Sequence, residues 1–518
     1  MKFELSGIQD FIFTIPSRGA AKQLRARSFY IEALSALVLE YTRQKLNIGI
    51  EDVLYHGGGQ FLVRTRKPES EVIAHIDDCR EELETIVKGR ELSFAWAYST
   101  EQKDVFRNNL LELQKALNLS RLCPDFEPTP YDFEKDTNDY NGLSDKLKKH
   151  SHYRIVENEE NARKTFPSFK NLSIDFSTTA IIDFKSLGIK GHFPGGNEDF
   201  VQVLIDTYKP GDSQKKEIQK LNNSQYTFEQ LAYLANLRTG QEKLGVLKMD
   251  VDNLGKLFSQ RHTEQEYCDF SGYIKNFFSE QINDILNQTF TSLRKPHQKS
   301  KYNNHPIKDT WSFKQNIYCV FSGGDDCFFI GGWDAVLEFA VKVKSEFKKC
   351  FPEPTHSLSA GYILINPKFP VRRFAELAEE AEQQAKQAGK NSIAILGYPY
   401  SWDAFEDILH LKVELTKRIL QGSPKSMLQG MLAYYGRYIK PGEQILLNPL
   451  VLPKFLYGLR NYKGSDHQFL LDEIYNKRLR PAIFNKSKMD MESKMDMERK
   501  MDMQKIFAAV RLAEYSVK

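Results

Sequence analysis

Apolar and polar positions along the first hundred residues alternate between two periods. "FELSG" alternates strictly, as a short strand does. From about Ala20 to Lys45 the apolar positions, among them Leu24, Ile31, Leu34 and Leu37, follow the spacing of a helix. "DVLYHGGGQFLVRT" reads as strand, glycine turn, strand. A second helix is predicted over roughly residues 69–89, and "ELSFAWAYS" supplies a further strand. Strand, helix, hairpin, helix, strand is a ferredoxin-like order.

The same order returns later. "KLGVLKMDVDNLGKLF" is strand then helix, and a helical stretch near residues 264–289 leads to the hairpin "YCVFSGGDDCFFIGG". A helix from Trp333 to about Lys349 and the strand "SLSAGYILI" complete the unit. The chain is read as carrying two copies of one domain, with coincidence as the alternative because this element order is common. Between the copies, "TTAIIDF" and "FVQVLI" are strand-like, and residues 125–165 read as loosely ordered. After "NSIAILG" the pattern turns helical, as in "AFEDILHLKVELTKRIL" and "SMLQGMLAYYGRYI". Near the end "KMDMES", "KMDMER" and "KMDMQK" repeat every six residues, an advance of about 240° on a helix, so the methionines do not share a face. This is read as a low-complexity expansion on an exposed helix or loop. The expected fold is α+β, with four regions: a ferredoxin-like domain at 1–100, an intervening α/β insertion domain and linker at 101–240, a second ferredoxin-like domain at 241–398 and a helical domain at 399–518.

Composition narrows the class without naming a function. Over 518 residues, 41% are hydrophobic and 27% charged, which is a globular rather than a disordered balance. No apolar run approaches a membrane span, and "MKFELSGIQD" does not read as an export signal, so a cytoplasmic location without membrane partners is expected. The net charge of +4 argues neither for nor against nucleic acid. The six cysteines are scattered, without a CxxC pair, and are read as reduced thiols with no zinc expected.

The candidate chemistry lies in the second unit. Asp325 and Asp326 sit at a hairpin turn, where aspartate and glycine are also ordinary turn formers. The first strand of that unit ends in "KMDVDNLG", so Asp250 lies on a neighbouring strand end. Carboxylates crowded on adjacent strand ends repel one another unless a cation lies between them. Two Mg²⁺ or Mn²⁺ ions about 3.5–4 Å apart would activate a 3′-hydroxyl and stabilise a leaving pyrophosphate, which is nucleotidyl transfer. Asp250, Asp325 and Asp326, with the Val251 carbonyl, are the expected ligands. Gly323 and Gly324, beside Ser322, would let a triphosphate approach the backbone. Asp252 is read as a cap for the following helix. Lys386 and Lys390, at the end of "RRFAELAEEAEQQAKQAGK", are open to two readings: complements to the helix dipole, or holders of phosphate. The first unit's turn, "HGGGQF", lacks acids and has Ser6 where the second has Asp250, so Gly57 and Gly58 are expected to hold a nucleotide without metal.

Taken together, "SGIQDFIF", "SRGAAKQLRARSFY", "HGGGQF", "LGVLKMDVDNLGKLF", "FSGGDD", "AKQAGKNSIAILG" and "AVRLAEY" resemble the large subunit of type III CRISPR effector complexes, most like the Csm (III-A) branch. The second unit is more distantly similar to GGDEF diguanylate cyclases. The resemblance implies that both ferredoxin-like units are palm domains. It also implies polymerisation of ATP into cyclic oligoadenylates when the complex binds a target RNA. Implied partners are guide RNA and target RNA, a Csm-type subunit that grips the guide 5′ handle, and small helical subunits. Many relatives begin with an HD nuclease domain, whereas this sequence starts at the first palm, so HD-type DNase activity is not expected.

Two basic stretches are read as either RNA contacts or solvated surface. Residues 286–316 hold six Lys/Arg with Tyr302, Trp311 and Phe313 interleaved, and Arg18, Lys22, Arg25 and Arg27 cluster near the N-terminus. Two alternatives to the oligoadenylate reading stand beside it: a cyclase making another nucleotide signal, and a catalytically silent RNA-binding scaffold.

Overall fold

In the computed structural model, four antiparallel strands near the N-terminus form one sheet: β1 (Lys2–Ser6), β2 (Val53–Gly57), β3 (Gln60–Val63) and β4 (Ser93–Ala97), in the order β2-β3-β1-β4. The structure describes residues 1–15, 19–87, 90–99, 106–122, 140–147, 154–157, 166–176, 194–208, 210–222, 225–291, 310–435, 451–480 and 492–517. The helix Ala20–Leu46 links β1 to β2, and Glu69–Val87 links β3 to β4. The long helix carries apolar residues almost all round, and it is correspondingly buried almost all round, because it is packed on more than one side.

The second unit repeats this order. β8 (Leu244–Val251), β11 (Ile317–Gly323), β12 (Asp326–Gly332) and β13 (Leu358–Ile365) pair antiparallel as β11-β12-β8-β13. Two further strands, β14 (Ser392–Ile395) and β15 (Tyr398–Ser401), extend the edge, β14 running parallel to β13. Both faces of this sheet are covered, which is why β8 and β12 read as continuous apolar runs rather than alternating ones. The helices Trp333–Cys350 and Val371–Gln387 pack against it.

Between the units lies a small sheet of β5 (Arg154–Glu157), β6 (Ser168–Phe169) and β7 (Leu172–Asp175), ordered β5-β7-β6 and resting on the long helix. Phe176 meets Phe29 there at 5.9 Å between ring centres. A short pair, β9 (Thr289–Thr291) with β10 (Thr310–Ser312), precedes β11. The helices Trp402–Leu420, Ser426–Tyr435 and Glu492–Ser516 pack together at the C-terminal end. Met503 of the repeat region is buried, whereas the first "KMDM" copy lies outside the described residues.

Several expectations change. "FVQVLI" is helix, Glu198–Tyr208, because Val201 and Leu204 share a helical face against the core while Gln202 and Val203 face solvent. The segments "TTAIIDF", most of 125–165, Cys123 and Tyr302 fall outside the described residues. Trp311 and Phe313 are buried: Phe313 stacks on Phe290 at 4.9 Å, and the Arg238 guanidinium lies 4.7 Å from the Trp311 ring. Neither aromatic can stack on a base. Arg25 and Arg27 are also core residues, 3% and 1% exposed, and Arg27 donates to the Phe11 carbonyl at 2.7 Å. The expected basic face therefore reduces, among the described residues, to Lys22, which faces Asp145 at 3.8 Å. No helix among the described residues is long and apolar enough to cross a membrane.

Candidate functional site

The hairpin β11–β12 closes with Gly323 opposite Asp326, leaving Gly324 and Asp325 as its two-residue turn. Gly324 has φ +69°, so a glycine is required at the first central position of this turn. Asp326 pairs directly with Asp250 on β8, and the Val251 amide donates to the Asp325 carbonyl at 3.2 Å. Three of the anticipated acids thus lie on adjoining backbone, fixed by ladder register. Burial, and then the neighbouring Asp250, push the Asp325 carboxyl up to about 6. Asp326 is held well above the carboxylate range by burial and then by Asp325.

The cations that answer this charge come from one helix and one strand. Lys386 donates to Asp250 and lies 2.7 Å from Glu382, one turn back on the same helix. Burial opposes the Lys386 charge, but these two carboxylates outweigh it and hold the ammonium above the usual lysine range. Lys248, two residues before Asp250 on the same face of β8, is 5% exposed and pairs with Glu379; burial lowers its proton affinity. Lys390 reaches the Asn253 side chain rather than an acid of the hairpin. Among the described residues, no group of three or more His, Cys, Asp or Glu side chains is gathered as a ready ion-binding cluster. Asp250 is drawn to Lys386 instead. The donor set still suits a hard divalent cation, because its members are carboxylate oxygens whose charge burial leaves poorly solvated.

Asp252 is not a cap. Asn253 occupies that position without a capping side-chain bond, and Asp252 is fully buried. Its carboxylate accepts from Ser357 Oγ at 2.6 Å, Ser359 Oγ at 2.6 Å and the Asn391 amide at 2.9 Å. It therefore ties the end of β8 to β13 and to the turn after Lys386. Sequence reading assigned a cap because the serines lie more than a hundred residues away.

The first unit brings its own glycine turn to this place. Gly58 and Gly59, with φ +60° and +77°, form the two-residue turn between β2 and β3. A Cβ on Gly324 would lie 3.8 Å from the Gly58 Cα and 3.5 Å from the Tyr55 hydroxyl, so the turns of the two units face each other almost in contact. Burial, and then Asp325, raise the Tyr55 phenol above its usual range. Ser322 turns away from the opening and donates to the Phe278 carbonyl at 2.6 Å. Behind the turns sit Glu32, Ser35, His56 and Lys275, none of which sequence reading singled out. Two of the missed residues carried a signal: Lys248 is a lysine inside an apolar strand run, and Glu382 lies four residues before Lys386.

Comparison with known proteins agrees with this architecture. A family model described as Cas10/Cmr2, second palm domain, matches residues 243–394, and one described as Csm1 subunit domain B matches residues 1–123. The Methanocaldococcus jannaschii protein named CRISPR system single-strand-specific deoxyribonuclease Cas10/Csm1 (subtype III-A) is 25% identical over 516 residues, covering 82% of this chain and 62% of that protein. The Streptococcus thermophilus protein of the same name is 26% identical over 459 residues, covering 78% of this chain and 54% of that protein. A crystal structure of a Csm1–Csm4 subcomplex from the type III-A CRISPR-Csm interference complex superposes with TM-score 0.70 at 18% identity, covering all of this chain and 69% of the other. A Csm1–Csm4 cassette in complex with cA4 gives TM-score 0.67 at 19% identity over the same shares. Two palm-type sheets meeting at their glycine turns, with turn acids in the second unit, agree with these matches: the chain carries a Cas10/Cmr2-type second palm domain and a Csm1-type domain B, and it is similar to the Cas10/Csm1 large subunits of subtype III-A CRISPR systems.

Proposed function

We propose that this chain joins ATP molecules 3′ to 5′ into cyclic oligoadenylates, as the large subunit of an RNA-guided antiviral complex that is switched on by target RNA. The observation that carries this reading is the apposition of the Gly58 and Gly324 turns, with the paired aspartates Asp250 and Asp326 on the second unit's side. Such an arrangement offers two nucleotide positions facing each other, an acceptor over the first unit and a donor over the second. Solved relatives described as bound to one ATP and to cA4 support the choice of nucleotide.

Asp250, Asp325 and Asp326, with the Val251 carbonyl, would hold Mg²⁺ or Mn²⁺, which supplies activation of the attacking hydroxyl and neutralises the triphosphate. Lys386 then exchanges Asp250 for phosphate oxygens, and Glu382 keeps its ammonium within reach. Gly323 and Gly324 admit the triphosphate to the backbone, Gly57 and Gly58 do so for the acceptor, and Lys390, beside Asn253 in the second unit, stands with Lys386 on the triphosphate side. Partners are guide and target RNA and Csm-type subunits, in keeping with the Csm1–Csm4 subcomplexes among the relatives.

A second reading is a silent scaffold, favoured by the pairing of Lys386 with Asp250. One experiment separates them. The assembled complex is incubated with Mg²⁺, ATP and target RNA, and products are read by mass spectrometry. Cyclic oligoadenylates are expected from the wild type, with at least a hundredfold loss for the double variant Asp325→Ala, Asp326→Ala. Equal yield from that variant would reject the site, and absence of any product from the wild type would favour the scaffold.

A further inference from the structure

Glu32, on the long first helix, lines two cavities at the seam between the units. The smaller, about 20 Å³, lies behind the glycine turns beside His56 and Lys275. The larger, about 240 Å³, is walled by Ile8, Ile12, Ile31 and Phe321 and opens onto Asp325 and Asp326. Sites that take a whole drug-sized ligand run from about 300 to 1,000 Å³, so this one suits a single base with the rest of the nucleotide outside. We propose that the larger cavity seats the purine of the nucleotide whose phosphates reach the hairpin, and that Glu32 reads the edge of that base. The inference rests on the nucleotidyl-transfer reading above and adds the residue that sets base specificity.

Apolar walls bury a base without distinguishing adenine from guanine; discrimination needs polar groups that one base satisfies and the other leaves unpaired. On its Watson–Crick edge adenine presents one donor, the 6-amino group, and one acceptor, N1. Guanine presents two adjacent donors there, N1–H and the 2-amino group. A neutral carboxylic acid offers one acceptor and one donor, which matches adenine, whereas a carboxylate offers two acceptors, which matches guanine. The protonation state of Glu32 therefore decides which base fits.

The surroundings favour the neutral acid up to neutrality. Burial pushes Glu32 up to about 7, against the pull of Arg25 on its own helix and Lys275 from the second unit. Lys275 is itself lowered to about 8 by burial. The remaining groups facing this seam add no cation: His56 on β2 is lowered to about 3 by burial, Cys319 on β11 is a buried thiol, and Asp325 and Asp326 close the far end. As pH rises through about 7, Glu32 ionises and the adenine match is lost.

The test is calorimetric titration of the full chain, in Mg²⁺, with non-hydrolysable ATP and GTP analogues at pH 6, 7 and 8. Reading the ratio of the two affinities cancels the effect of pH on phosphate binding. For the wild type, preference for ATP should fall at least tenfold between pH 6 and 8. Glu32→Gln, whose carboxamide carries the same donor and acceptor as the acid, should keep the preference and make it independent of pH. Glu32→Ala should bind both analogues alike within threefold. A wild-type ratio that does not move with pH, or a Glu32→Ala ratio equal to wild type, would overturn the proposal. If Glu32→Ala does not fold, the flat pH profile expected of Glu32→Gln decides alone. Base discrimination that follows Glu32 in a chain that makes no oligoadenylate would sink the catalytic reading and leave this one standing.

Discussion

Asp325 is a residue at which the fold carries a local electrostatic cost. Its folded-state proton affinity lies at about 6, above the ordinary aspartate value of 3.8, so ionisation on folding is unfavourable. The cost is absent below the ordinary value, grows as pH rises from about 4 to 6, and is constant above. Two pH units correspond to roughly 3 kcal/mol, which water at the rim of the site screens to about 1 kcal/mol. Asp325→Asn removes this penalty. In chelated, nucleotide-free protein at pH 8, we expect its thermal midpoint to exceed that of the wild type by about 2 °C, with no gain at pH 4. Scanning calorimetry at both pH values checks it, and a gain of equal size at pH 4 would show that the charge is not the cause.

At the level of elements, the helix Val371–Gln387 is what brings Lys386 and Glu382 to the end of β8, and it can lie so close to β13 because of one glycine. A Cβ at Gly361 would meet the Ala378 carbonyl oxygen at 2.3 Å, so only a residue without a side chain fits. Gly361→Ala must lift the helix off the sheet. Overpacking of this kind costs about 1–3 kcal/mol, and the shift moves Lys386 relative to Asp250. We expect a lower denaturation midpoint and at least a tenfold fall in oligoadenylate synthesis, although Gly361 contributes no side chain to the site. Synthesis at the wild-type rate would show that the position of this helix is not limiting. The two hairpin turns make the complementary point: "GGDD" and "HGGGQF" each place positive φ at turn positions where other residues are strained, so their shape was legible as turn chemistry.

Across the whole molecule, the site exists only while the two units stay docked. Phe13, leading out of the first unit's short helix Ile8–Phe13, inserts between Phe328 of β12 and Phe374 of the helix Val371–Gln387, with ring centres 4.7 and 6.5 Å away. Tyr318 of β11 donates to the Ala21 carbonyl on the long helix, and Arg64 at the end of β3 bonds Glu264 at 2.9 Å. Truncating Phe13, which is 3% exposed, should cost about 3–5 kcal/mol. We expect Phe13→Ala to split thermal unfolding into two transitions and to weaken binding of a fluorescent ATP analogue by at least tenfold. A single transition with unchanged nucleotide affinity would mean that the units are held together elsewhere.

The duplicated element order, the glycine turns, the acids of the second unit and the lysine at the end of its last helix were all readable from residue order, because strand alternation, helical spacing and turn residues are local. So was the absence of acids in the first unit's turn. What residue order could not give were the partners that meet across long separations: Asp252 with Ser357 and Ser359, Arg27 with Phe11 and Tyr140, Trp311 under Arg238, and Glu32 beside Lys275. A charge is the same letter in the sequence whether it ends in solvent or in the core. Only the docking of the two sheets decides which carboxylates lose water and which cations answer them, and with that which residues of this chain line the space between the two turns.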